Sequence, residues 1–164
     1  MNKYNLPHFG ELDLDSLEEY NDVDIEFKGQ PVQIDLNFEG KTITPKRLDV
    51  VKHFIGQLLE HDERNLKEIR KDYEDGDTVK EYIDHHLEEV GPEEYDGVID
   101  FEDETKTPQE QLLSALRLVR IGLYPDSEDK FAIFDYSIGQ ELTQYLVVVN
   151  TDEKGNLDYM TMES

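Results

Sequence analysis

The spacing of apolar residues changes period twice along this chain. Val23, Ile25 and Phe27 alternate with acids, Lys28-Gly29-Gln30 turns, and Val32, Ile34, Leu36 and Phe38 alternate again. Period two predicts a hairpin with one apolar face. The other face of its second strand, Gln33, Asp35 and Asn37, is expected to meet water. From Thr44 to about residue 90, and again from Thr107 to about residue 116, apolar residues recur at helical spacing instead. Near residue 118 the pattern turns extended again, with Gly122 and Pro125 favouring the switch.

The helical block carries its own start and stop signals. Thr44-Pro45 opens a helix with Pro at its first position, and Leu48, Val51, Ile55, Leu58 and Leu59 form the stripe. The next segment, about Asp62 to Glu74, is dominated by charge, with only Leu66, Ile69 and Tyr73 apolar, and is expected at the surface. Asp75-Gly76-Asp77 breaks it. Thr78-Val79-Lys80-Glu81 is a capping box, followed by the stripe Val79, Tyr82, Ile83, His86, Leu87 and Val90, which Gly91-Pro92 ends. Thr107-Pro108-Gln109-Glu110 opens a further helix through Leu112, Leu113 and Leu116. Another capping box, Ser16-Leu17-Glu18-Glu19, predicts one helical turn within an otherwise irregular arm, residues 1–20.

The C-terminal third reads as a meander: Phe131 to Ile138, Thr143 to Asn150, a turn at Gly155, then Leu157 to Met162. Separated blocks of strand, helix and strand predict an α+β fold. The expected sheet is antiparallel, built from the N-terminal hairpin and the C-terminal meander, with three to four helices packed on one face. At 164 residues, a single domain over 1–164 buries enough surface to need no staple. Residues 92–106 are expected as an acidic loop or a short edge strand.

Charge narrows the partners. The net charge is -24, and residues 81–105 carry eleven acids and no Lys or Arg. Residues 41–80 balance at zero, so the excess sits elsewhere. Such a surface repels nucleic acid and anionic lipid and attracts basic proteins. Cysteine is absent, which removes disulfides and thiolate chemistry. The N-terminus lacks a basic stretch followed by an apolar one, so no signal peptide is expected. The longest apolar run, Leu146 to Val149, is too short to span a bilayer. The expected location is cytoplasmic.

No catalytic motif is evident. There is no P-loop, GxGxxG, GxSxG or HExxH. An EF-hand loop aligned on Gly76 places Lys71 and Tyr73 at ligand positions and fails, and Gly155 fails too. His53 and His61 are eight apart with Gln57 between them. Glu81, His85 and Glu89 fall on one helix face and could hold a divalent metal. A metal-dependent hydrolase built on these groups and loop carboxylates is therefore the alternative function. The primary expectation is a non-enzymatic protein with no cofactor, no metal and no catalytic residue.

That expectation is an acidic protein-binding module. Carboxylates interleaved with tyrosine suit docking onto a basic protein, since tyrosine is enriched in interface cores and opposite charge speeds encounter. The candidate partner-binding residues are Glu93, Glu94, Tyr95, Asp96, Asp100, Glu102, Asp103 and Glu104, with Glu18, Glu19 and Tyr20. Tyr82 and Tyr136 fit amphipathic stripes and are expected in the core.

Two stretches also carry a family resemblance. The first is Asp72-Tyr73 with Gly76-Asp77-Thr78-Val79 and Glu81-Tyr82. The second is Arg120-Ile121-Gly122-Leu123-Tyr124-Pro125 running into Phe131-Ala132-Ile133-Phe134-Asp135-Tyr136-Ser137-Ile138-Gly139. They resemble a bacterial family of small uncharacterised domains associated with immunity proteins of polymorphic toxin systems. The resemblance covers about residues 21–162, and its motifs are structural rather than catalytic. It implies a single-domain cytosolic protein that neutralises a toxin. A basic toxin domain is then the expected partner.

Overall fold

The structure is a computed structural model that describes residues 2–95 and 97–164. Its centre is a six-stranded sheet. The hairpin of β3 (Tyr20–Phe27) and β4 (Gln30–Asn37) forms one side, and β5 (Arg117–Leu123), β6 (Ala132–Ser137), β7 (Leu146–Thr151) and β8 (Leu157–Glu163) continue it in order. Between β4 and β5 come α1 (Pro45–Ile55), α2 (Leu58–Asp75), α3 (Thr78–Glu89), a 3-10 turn at Pro92–Tyr95 and α4 (Pro108–Ala115). This is the α+β arrangement of separated blocks.

Alternation decides which face of the sheet is core. Val32, Ile34, Leu36, Ile121, Leu123, Phe134, Tyr136, Val147 and Val149 are buried, and helical side chains cover this face. Phe54 of α1 packs on Phe131 and Phe134, and the Tyr82 hydroxyl of α3 accepts from the Ile138 amide. Tyr82 and Tyr136 are both core residues, as their stripes imply.

One strand pair departs from the expected antiparallel sheet. β4 and β5 run parallel, with Ile34 opposite Ile121 and Leu36 opposite Leu123. A hairpin loop reverses the chain, whereas a long crossover through helices lets the next strand enter in the same direction. The helical block is that crossover.

The N-terminal arm, expected to be irregular, forms a separate hairpin of β1 (Lys3–Leu6) and β2 (Gly10–Asp13). Its turn uses left-handed backbone at His8 and Gly10. Leu6, Leu12, Leu14 and Leu17 are buried, and the Tyr4 hydroxyl donates to Asp49 of α1 at 2.6 Å. Ser16 starts no helix; its amide closes a turn on the Asp13 carbonyl.

Two further expectations need correction. The charged helix α2 is not simply a surface helix, because it buries His61, Asp62, Asn65 and Ile69. Asp62 accepts from the Tyr136 hydroxyl at 2.7 Å and pairs with Lys28. Asp35 does not meet water either: it is 0% exposed. Arg120 covers it, with Nε 2.8 Å from Asp35 Oδ2 (an ionic contact, out of line for a hydrogen bond) and Nη1 3.2 Å from Asp135 Oδ2. Burial raises the Asp135 pKa, and Arg120 offsets part of that.

Candidate functional site

The acidic segment leaves α3 and is stapled back onto it. A helix end exposes carbonyls without partners, and here the His86 carbonyl takes both the Val90 amide and the Tyr95 hydroxyl. Tyr95 is therefore 1% exposed and cannot serve as a docking anchor. Its ring is a structural plug, and burial raises its hydroxyl pKa. Among its described residues the segment forms no edge strand. It is a loop with one 3-10 turn.

Beyond Tyr95 the loop is held by its own polar groups. The Asp100 amide donates to Gln111 Oε1 at 2.7 Å, and Gln111 Nε2 donates to the Asp100 and Lys106 carbonyls at 2.9 and 3.2 Å. Asp100 accepts from the Glu102 amide at 3.0 Å, and Asp103 accepts from the Thr105 amide at 2.8 Å. Hydrogen bonds from Thr105 lower the Asp103 pKa. Ile99 anchors the loop in the core.

This scaffold leaves the acids outside. Glu93, Glu94, Asp100, Glu102 and Glu104 are exposed and Asp103 is half-buried. None of them enters an ion pair among the described residues. Asp96 lies outside the described residues. At the centre of the loop Phe101 is 51% exposed, its ring edge-on to Tyr95 at 6.3 Å. Phe101 is the aromatic group the sequence reading missed. It lies close to Val98 and Ile99 in the sequence, and only the fold separates the buried Ile99 from the exposed ring.

Glu18, Glu19 and Tyr20 form a second, separate patch. Tyr20 is 50% exposed at the start of β3, and its hydroxyl accepts from Gln33 Nε2 at 3.1 Å. The far end of the hairpin, at Phe27, Lys28 and Gln30, lines a groove with Leu116 and Arg117, which follow α4. An eight-residue strand separates its ends by more than about 20 Å. No hydrogen bond or ion pair among the described residues joins the two patches.

The histidine-centred alternative loses its geometry. Among the described residues no three His, Asp or Glu side chains converge as a metal site. His85 instead packs edge-on to Tyr145 at 4.8 Å. Its neighbour His86 is buried, with Nδ1 2.7 Å from the Tyr82 carbonyl and Nε2 2.9 Å from Thr143 Oγ1. Nδ1 must carry the proton it donates to the carbonyl, which leaves Nε2 to accept from the hydroxyl. Burial lowers the His86 pKa, consistent with this neutral ring. His53 and His61 both line a cleft beside α1.

No helix among the described residues is long and apolar enough to cross a membrane. No protein-family model, curated protein or solved structure matches this chain.

Proposed function

We propose that this chain is a non-enzymatic module that docks a basic protein surface onto the 92–106 loop. One observation carries this: half-exposed Phe101 stands among carboxylates that have no cationic partner in the described chain. An apolar anchor at the centre of a charged rim is the pattern of interface hot spots. The rim charges steer the partner in, and the ring is desolvated on contact. Because the loop is already ordered by Tyr95, Gln111 and Thr105, little entropy is lost on docking.

A toxin domain with a cationic substrate cleft has the required chemistry, and the immunity-type resemblance favours that class. Carboxylates seated in such a cleft would block it as phosphate mimics. The Tyr20 patch is a secondary contact at most in this account, because no hydrogen bond or ion pair among the described residues joins it to the loop.

Capture from the source lysate at about 0.1 and about 1 M salt tests the proposal, since screening at the higher salt removes the steering. Wild type is compared with a variant carrying Phe101→Ala, Glu102→Lys, Asp103→Lys and Glu104→Lys. The expected result is a basic protein retained by wild type at the lower salt and lost by the variant. An acidic partner, or a basic one retained equally by both, would overturn it.

A further inference from the structure

We propose that the cleft between α1, the start of α2 and the β7–β8 turn binds a small organic anion with a flat ring. This goes beyond the docking function and stands on different residues. The cleft holds about 450 Å³, a size suited to a small ligand. Phe54 and Val50 supply its apolar wall, and Lys46 and Lys154 bring ammonium groups to it.

The state of its charges sets the sign of the guest. The two acids on its wall are already engaged: Asp49 accepts from the Tyr4 hydroxyl at 2.6 Å, and Glu153 is paired with Arg47 at 2.6 Å. Lys46 and Lys154 enter no ion pair among the described residues. The Tyr4 hydroxyl leaves Asp49 charged, but the two lysines outnumber it and Arg47 offsets Glu153, so in a chain of net charge -24 this cleft keeps a net positive charge. Two lysines act as point charges suited to a phosphate or a carboxylate.

His61 shows that the site is built. Its ring stacks on Phe54 with centroids 4.0 Å apart and is 4% exposed. Both ring nitrogens are buried without a hydrogen-bond partner. Leaving a buried polar group unpaired costs about 1–3 kcal/mol, so an unused imidazole on a cleft wall needs a reason. Gly155 closes over its edge: a Cβ there would lie 2.4 Å from Nδ1, and φ is +83°. Gly155 lies against Nδ1, so Nε2, which is also closed to solvent, is the nitrogen a guest meets once the cleft wall opens to it. The guest's ring then lies against Val50, the more exposed part of the apolar wall, since Phe54 is buried and stacked on His61, with its anion at the lysines.

The test is a titration of the isotope-labelled full chain, following the His61 ring signals. Adenosine monophosphate and benzoate distinguish a phosphate source from a carboxylate. Adenosine and inorganic phosphate separate the ring from the charge. The proposal expects saturable shifts at His61 with at least one anion that carries a ring, and weaker binding of adenosine or phosphate alone. Lys46→Ala with Lys154→Ala should weaken that anion by about tenfold or more, or about 1.4 kcal/mol. His61→Phe keeps the stack, removes the nitrogens and should also weaken it. No saturable shift with either anion overturns the proposal. So does unchanged affinity in the double lysine variant, or in His61→Phe, which would leave the nitrogens serving a trapped water only. If His61→Phe does not fold, the lysine variant decides, because both lysines are exposed and unpaired.

Discussion

The Tyr95 hydroxyl closes the carboxyl end of α3, where the His86 carbonyl also receives the Val90 amide. Tyr95→Phe therefore removes one of two donors and should cost only about 1 kcal/mol in urea unfolding. It should leave partner capture intact, because the ring still fills its place. A loss of capture equal to that of the loop variant would make Tyr95 an anchor after all. His61 makes the second prediction at this scale. Burial lowers its pKa from 6.5 to about 4, so between those values the unfolded chain binds the extra proton. Stability is full above about pH 6.5 and is lost as pH falls toward 4, by about 2–3 kcal/mol. Urea unfolding at pH 7 and pH 4.5 should show wild type losing that much more than His61→Phe, with the carboxylate contribution common to both. Equal losses would contradict a buried neutral ring. The sequence made tyrosine beside acid look like an anchor at both Tyr95 and Tyr20. Only the packing of residue 95 under α3, a contact nine residues back along the chain, tells the two apart.

Helix starts were legible where a side chain caps its own helix. Thr44 and Thr107 each accept the amide three residues on, at 3.2 and 3.1 Å, as their Thr-Pro signals require. Thr78 belongs to the same motif on paper, yet it is the first residue of α3 and not its cap. Asp72, from the end of α2, accepts the Val79 amide at 2.8 Å instead. The bend between the helices brings the preceding helix's carboxylate over the new N-terminus, which no local spacing announces. Asp72→Ala should accordingly cost about 1 kcal/mol in thermal or urea unfolding, and Asp77→Ala close to nothing. The reverse order would refute the shared cap. The β1–β2 hairpin was illegible for another reason. Each strand is four residues long, too short for a period to emerge, and its leucines are recruited by contact with the rest of the core. The buried stripe of α2 escaped notice because it is polar, and its partners Lys28 and Tyr136 are far away in sequence.

At the scale of the molecule, the order of the blocks predicted the architecture. The strand direction at β4–β5 did not follow from it, because residues 38–116 can return a strand either way. Charge is unevenly spread over the surface. Cations concentrate where the chain is neutral, on α1 and α2 and around the His61 cleft, and the described carboxylates of the 92–106 loop stand around Phe101 without an ion pair among the described residues. Opposite charge acts mainly on the association rate. The most direct test is therefore stopped-flow association of the captured basic partner with wild type and the loop variant, from about 0.03 to about 0.3 M salt. The account predicts a rate that falls about tenfold or more for wild type across that range, and a slow, nearly salt-independent rate for the variant. A wild-type rate that is flat or rises with salt, or a variant that matches wild type, would contradict it.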